Sequence, residues 1–326
     1  MFKLLSRLTD KVLGGRDITY DEASLMLHMK KQRDIAFLIS FANSIRDEFK
    51  GSDIDPCAII NAKSGSCSED CIFCSQSAHY RTNIERYPLI NREDIIQGAK
   101  EASYIGANSF SIVVSGENIK DPVELESVYA AIDDMSSNVD IGRCASLGTL
   151  TIEIARDLKK SGLERYHHNL ETSESFFPRV CTTHSYKDRI TTVKIAKEEG
   201  LQVCCGGIFG IGETPEHRLE LAFALKELGV DAIPLNFLNP IPGTPLENAT
   251  PIPPMEILKT IAIFRFIHPT KDIRVCGGRE RNLRNVQSLM YMAGANGIMI
   301  GNYLTTPGSN SEEDMQMIYD LMLVPK

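Results

Sequence analysis

The sequence predicts an α/β fold: a closed (β/α)8 barrel of the TIM type, preceded by a helical extension. Eight short apolar runs alternate with amphipathic stretches, each long enough for a crossover helix. Several of those stretches stop at a glycine (Gly106, Gly162, Gly200, Gly229, Gly294), the usual helix terminator. No low-complexity tract or composition break interrupts the pattern. Alternation alone also fits a doubly wound open sheet, but a count of eight favours closure.

Taken in order, residues 1–50 read as helices, with helical spacing from Asp21 through Lys31 and from Arg33 to Lys50. Residues 51–326 form the barrel and a C-terminal extension. The expected strands are 57–61, 109–114, 140–144, 165–170, 202–209, 232–237, 272–276 and 297–300. The expected helices are 92–105, 121–135, 147–161, 186–199, 215–228, 255–268 and 281–293.

At 326 residues the chain is long enough for a large core. Its net charge of −8 argues against nucleic acid as a partner. No apolar run approaches the length of a membrane span, and Met1 to Arg7 lacks a signal-peptide core, so a cytoplasmic protein is expected. Nine cysteines in such a chain fit reduced thiolates serving as metal ligands rather than a disulfide scaffold.

Three of them, Cys67, Cys71 and Cys74, form a C-x3-C-x2-C loop just after the first strand, where a barrel carries its chemistry. Three thiolates hold three corners of a cubane iron–sulfur cluster and leave one iron open to a small molecule. Structural zinc usually takes paired C-x2-C knuckles, and the loop has no second knuckle. A ferredoxin-type carrier takes four cysteines per cubane.

With Phe73 directly before the third cysteine, the loop resembles the signature of the radical S-adenosylmethionine (SAM) superfamily. The resemblance implies a 4Fe–4S cluster whose open iron is chelated by SAM, reductive cleavage of SAM, and a 5′-deoxyadenosyl radical that takes hydrogen from an unactivated carbon. The barrel's part is to keep that radical dry and aimed.

Further segments are similar to the biotin synthase family, in the family's order, from about residue 40 onward. They are Asn61-Ala62-Lys63-Ser64-Gly65, Tyr166-His167-His168-Asn169-Leu170-Glu171-Thr172, residues 206–214, Pro240-Ile241-Pro242-Gly243-Thr244-Pro245-Leu246, Gly277-Gly278-Arg279-Glu280 and Met292-Ala293-Gly294-Ala295-Asn296. That resemblance implies insertion of sulfur between C6 and C9 of dethiobiotin. It also implies a flavodoxin or ferredoxin as reductant, and a homodimer. It assigns Glu171 to the SAM ribose, Phe73 and Ile208 to the adenine, and Arg189 to the methionyl carboxylate. Asn169 and Asn236 go to the ureido ring, since an amide offers a donor and an acceptor as a urea does. Arg274 is placed with the substrate-binding residues. His167 stands where the family often has asparagine, and Glu117 is a further candidate for the SAM amino group.

Biotin synthases of the familiar type hold an auxiliary 2Fe–2S cluster with three cysteines and an arginine. Cys144, Cys204 and Arg274 match, but Ser111 stands in the remaining cysteine's place. Side chains alternate along a strand, so Cys276 shares a face with Arg274. The expected auxiliary set is therefore Cys144, Cys204 and Cys276, around a four-iron cluster with one iron free. Only one of Cys204 and Cys205 reaches the lumen unless a bulge intervenes. Cys57 and Cys181 read as structural, Arg279 and Glu280 as an ion pair or a site. The glycine-rich run at 206–213 is weak evidence for a phosphate loop.

Two other readings compete. One is a related radical SAM enzyme with the same barrel, such as a hydrogenase maturase or methylornithine synthase. The other is a non-catalytic iron–sulfur or zinc-binding protein, which would not cleave SAM under strong reductant.

Overall fold

The computed structural model describes residues 1–326. Nine parallel segments form the barrel wall: β1 (Asp53–Lys63), β2 (Ser109–Val114), β3 (Gly142–Ser146), β4 (Arg165–His167), β5 (Gln202–Cys204), β6 (Gly207–Phe209), β7 (Ala232–Phe237), β8 (Asp272–Val275) and β9 (Gly297–Met299). The last pairs back onto the first, Cys57 opposite Met299, so the sheet closes. A short β10 (Val324–Pro325) adds to the start of β1.

Nine segments make eight staves because β5 and β6 are two halves of one. Both lie against β7 in a single register, Cys204 opposite Ala232 and Gly207 opposite Leu235, an offset of 28 residues in each case. The sequence expectation of one strand over 202–209 is corrected only at Cys205-Gly206. No residue is inserted there, so alternation continues: Cys204 and Ile208 face inward, and Cys205 faces the helix layer. A side chain at Gly206 would lie 2.0 Å from the carbonyl oxygen of Pro234, so only glycine lets the strands approach there.

Around the wall run α4 (Arg92–Tyr104), α5 (Pro122–Asn138), α6 (Ile152–Lys160), α7 (Tyr186–Glu198), α8 (Pro215–Leu228) and α9 (Pro254–Ile267). Asn91, Asp121, Thr151, Ser185 and Thr214 cap the first five with side-chain oxygens. The helix expected over 281–293 is broken into α10 (Arg279–Leu283), a 3-10 turn and α11 (Leu289–Met292). Arg284 takes φ +53° and ends α10, and the chain folds round Arg279, whose guanidinium donates to Asp314 (2.6 Å) on α12 (Ser311–Asp320). Arg279 is thus a structural tie between barrel and C-terminal helix; its contact with Glu280 is the longer one, 3.5 Å.

Before the barrel come α1 (Phe2–Leu13), α2 (Tyr20–Leu27) and α3 (Gln32–Lys50). They bury Leu5, Leu8, Leu38 and Ile45 in the same continuous core as the barrel. α3 covers the outer side of α9, which explains why α9 is buried on all sides.

Candidate active site

A cavity of about 430 Å³ opens at the carboxyl ends of the strands. Cys67, Cys71 and Cys74 line its mouth on the loop after β1. Backbone bonds shape that loop: Cys67 N–H donates to Gln76 O (3.0 Å) and Ala78 N–H to Cys67 O (2.8 Å). The Gln76 side chain receives Gly65 N–H, and Ser115 Oγ donates to Gly65 O. Burial raises the thiols of Cys67 and Cys74, the latter to about 11. Thiols that resist ionisation alone but line one cavity mouth suit a metal group whose charge deprotonates them.

A second segment clamps the loop from outside. Ile72 N–H donates to Val180 O, and the Asp70 carboxylate accepts from Thr182 N–H (2.8 Å) and Thr183 N–H (3.3 Å). Burial alone would raise the Asp70 carboxyl, but these bonds hold it well below the ordinary range. The clamp carries Cys181 against Cys71 and places its Sγ 3.2 Å from His184 Nδ1. Sequence reading left Cys181 as a lone structural thiol. The C-x2-H spacing of Cys181 and His184 was the signal that would have found the pair.

Deeper in the wall, Glu171 follows β4 in a left-handed conformation, φ +69°. A non-glycine residue there stores on the order of 1 kcal/mol of strain or more. The strain is held by Ile208 N–H donating to Glu171 O (2.8 Å). Burial raises the Glu171 carboxyl, opposed by Arg189 at 3.7 Å. Arg189 also donates to Asn169 O (2.9 Å). Phe73 and Ile208 both line the cavity and pack on one apolar group, Phe176, Val180, Ile211 and Leu238.

The glycine-rich run is no phosphate cradle, because its amides are taken. Glu213 accepts from Gly210 N–H and Ile211 N–H, both 2.9 Å, and pairs with buried Arg218 at 2.8 Å. The two cavity-lining amides are also partly engaged. Asn169 Oδ1 accepts from Gly206 N–H (3.1 Å). Asn236 accepts from Gly277 N–H (3.0 Å) and donates to Gly207 O (3.2 Å). Each NH2 group keeps a hydrogen for a ligand. Glu117 lines the cavity, with its carboxylate 3.3 Å from Lys120.

Beneath the cavity lies a buried group of four thiols. Cys144, Cys204 and Cys276 are there with Arg274, and so is Cys57, whose thiol is near enough to that of Cys276 for each to shift the other's ionisation. Cys57 was read from sequence as a structural residue away from the chemistry. Instead the inward face of β1 carries Asp55, Cys57 and Ile59, and Asp55 pairs with Arg274. The thiols sit level with the cavity floor: His167 and Met299 line the cavity and are the cross-strand neighbours of Cys204 and Cys57. Burial raises Cys204 to about 12 and, with Arg274 and Arg165 nearby, lowers His167 to about 3, leaving a neutral imidazole.

Several donors here have no protein partner: Arg274 Nε and Nη1, Ser111 Oγ and His167 Nε2. Orphaned buried groups are costly unless something accepts from them. A sulfide-rich cluster held by the thiols is chemically suited to do so, and the donor set fits an auxiliary cluster. Cys205 packs instead in the outer core beside Tyr186.

Comparison with known proteins bears on this arrangement. A radical SAM superfamily profile matches residues 63–236, and the Biotin and Thiamin Synthesis associated domain matches 234–323. The chain is 51% identical to the biotin synthase of Geobacter sulfurreducens, over 97% of this chain and 96% of that one. The chain belongs to the biotin synthase family. Identity to the biotin synthase of Clostridium acetobutylicum is 49%, over 96% of each chain. A crystal structure of methylornithine synthase superposes with TM-score 0.83 over 98% of this chain and 97% of that one. At 19% identity that likeness speaks for the barrel fold alone. As a member of the biotin synthase family the chain is a radical SAM enzyme, and the competing reading as a non-catalytic metal-binding protein falls.

Proposed function

We propose that this protein inserts sulfur between C6 and C9 of dethiobiotin, using SAM at the three-cysteine loop and sulfur from an auxiliary four-iron cluster at the barrel floor. The observation that carries this is the two-storey arrangement: a loop of three cysteines at the mouth and four buried thiols at the floor of one cavity. When bound, the loop cluster with SAM supplies a radical that takes hydrogen from unactivated carbon, and the auxiliary cluster supplies the sulfur.

The chain's own residues do the positioning. Cys67, Cys71 and Cys74 hold the loop cluster. Glu171 accepts from the SAM ribose hydroxyls, Arg189 faces the methionyl carboxylate, and Phe73 and Ile208 flank the adenine. Asn169 and Asn236 each turn their free N–H toward the ureido carbonyl, their own oxygens being engaged by backbone. The apolar floor formed by Ile59, Pro234 and Met299 excludes water from the reacting carbons. Cys144, Cys204 and Cys276 would ligate the auxiliary cluster, and Cys57 offers a fourth thiol at the corner that the sequence expectation left free. Arg274, anchored on Asp55, would give its unpaired N–H groups to the sulfides of that cluster. Its place is therefore beneath the substrate rather than beside it. A low-potential flavodoxin or ferredoxin supplies electrons, and a cytoplasmic homodimer is the working form.

The test is anaerobic turnover of the reconstituted chain with dethiobiotin, SAM and a low-potential reductant. Biotin together with 5′-deoxyadenosine is expected. 5′-Deoxyadenosine without biotin would remove dethiobiotin as the substrate.

A further inference from the structure

The clamp on the cysteine loop brings two metal-ligating atoms that the radical chemistry does not use, Cys181 Sγ and His184 Nδ1, against one that it does, Cys71 Sγ. Cys71 Sγ, Cys181 Sγ and His184 Nδ1 all lie within 4.8 Å of one another, and Cys181 Sγ is 3.2 Å from His184 Nδ1. A tetrahedral zinc-type site with metal–sulfur bonds of about 2.3 Å and metal–nitrogen bonds of about 2.0 Å needs ligand atoms roughly 3.5–3.8 Å apart. The three atoms therefore reach one ion with shifts of a few tenths of an ångström to about one. Glu69 puts its carboxylate on the same His184 nitrogen, held there by Thr183 Oγ1 donating to it at 2.6 Å; it borders the three-atom group and turns in from His184 to close it. Asp70, 3.2 Å from Cys181 Sγ, pins the segment to the loop through Thr182 and Thr183. Cys71 and Cys181 are buried, and His184 is largely so, with its side chain 12% exposed. The donors are thus held in place before any ion arrives.

We propose that the cluster-free protein binds one divalent ion of the zinc class through Cys71, Cys181 and His184, closed by Glu69. Two thiolates, an imidazole and a carboxylate are the donors a borderline-soft cation takes, and zinc outcompetes iron(II) for such a set. The site shares Cys71 with the iron–sulfur loop, so zinc on that sulfur draws it away from the cubane. Zinc here holds the loop in a state that cannot load its cubane. The competition rests on the reading of Cys71 as a cluster ligand; the ion site itself does not.

Anaerobic, chelator-stripped full-length protein is titrated with Zn²⁺ against a chromophoric chelator, in a Cys276→Ala background that weakens the lumenal thiols as a site. Cys181→Ala and His184→Gln should each weaken binding of one ion at least tenfold, while Cys67→Ala and Cys74→Ala leave it unchanged. Co²⁺ should show a thiolate charge-transfer band that Cys181→Ala reduces. If Cys67→Ala or Cys74→Ala weakens binding as much as Cys181→Ala, the ion sits on the three-cysteine loop and the proposal is wrong. Unchanged binding in both Cys181→Ala and His184→Gln also overturns it. In a second arm, zinc-loaded protein is given iron and sulfide. Slower iron uptake by the parent than by Cys181→Ala supports the competition, and equal rates refute it.

Discussion

The thiols of Cys57 and Cys276 lie near enough inside the barrel to shift one another's ionisation, although they come from its first and seventh staves. Closure brings them together: β9 pairs with both β1 and β8, and each thiol faces inward. If both belong to a four-iron auxiliary cluster, anaerobically reconstituted protein should hold about eight irons per chain, two cubanes of four. Cys276→Ala and Cys57→Ala should each lower the count toward about four and cut biotin formation at least tenfold, while SAM cleavage continues. Iron and sulfide quantitation with Mössbauer spectroscopy checks this. A two-iron auxiliary signal in the parent protein, or an unaltered auxiliary cluster in Cys276→Ala, would rule out the four-iron assignment.

Glu171→Gln keeps the shape of the side chain and removes its charge facing Arg189. SAM binding should weaken about tenfold, equivalent to about 1.4 kcal/mol. The KM for dethiobiotin should not move. Binding isotherms of the cluster-loaded protein read the first quantity and turnover the second. A change confined to dethiobiotin would reassign Glu171.

Asn236→Ala strips a partner from Gly277 N–H and another from Gly207 O. Leaving such groups unpaired should cost roughly 1–3 kcal/mol of stability. If the remaining N–H serves the substrate, KM for dethiobiotin should also rise. Thermal unfolding and turnover separate the two effects. Lost stability with an unaltered KM would leave Asn236 as a clip between strand ends and nothing more.

Glu213→Ala should be among the most damaging single changes outside the core. It frees the amides of Gly210 and Ile211 and leaves Arg218 buried without its partner. Breaking a buried pair in this way costs about 3–5 kcal/mol, which denaturant unfolding would read directly.

Lys50→Ala tests how α3 is fastened to the barrel. Burial pushes the Asp272 carboxyl up, but Lys50 at 2.7 Å and Asn296 outweigh it and hold it at about 2. A carboxyl depressed in the folded state stabilises above its unfolded pKa of about 3.9, and that contribution is lost as pH falls through the folded value. The parent should therefore exceed the variant by roughly 2 kcal/mol near neutrality, less what partial exposure screens away. The gap should close between about pH 4 and pH 2. A gap that does not depend on pH would mean the lysine acts by packing its stem.

The barrel was readable because alternation and helix stops are local signals. The strand boundaries at 109–114 and 232–237 were met to the residue by β2 and β7. The helix over 281–293 failed because Arg279 is drawn to Asp314, a partner 35 residues away that no local pattern contains. At the site, the C-x3-C-x2-C loop was legible from spacing, since all its ligands lie on one short segment. The strain at Glu171 was not, because it depends on Ile208 from the next stave. The closed amides of the glycine-rich run are local, taken up by Glu213 two and three residues on, but no residue pattern singles out that carboxylate as their acceptor.

The sequence by itself determined the chemistry-bearing loop, the alternating barrel and the inward pairing of Arg274 with Cys276, all consequences of spacing along one segment. Only the tertiary structure decided what Cys57 and Cys181 touch. Both read from sequence as structural residues, and each has a cysteine far away in the chain as a neighbour: Cys276 for Cys57, Cys71 for Cys181. The physical reason is closure. A barrel brings its first and seventh staves into one lumen, and a loop after the fourth stave folds over the loop after the first. Contacts of that kind have no period in the sequence.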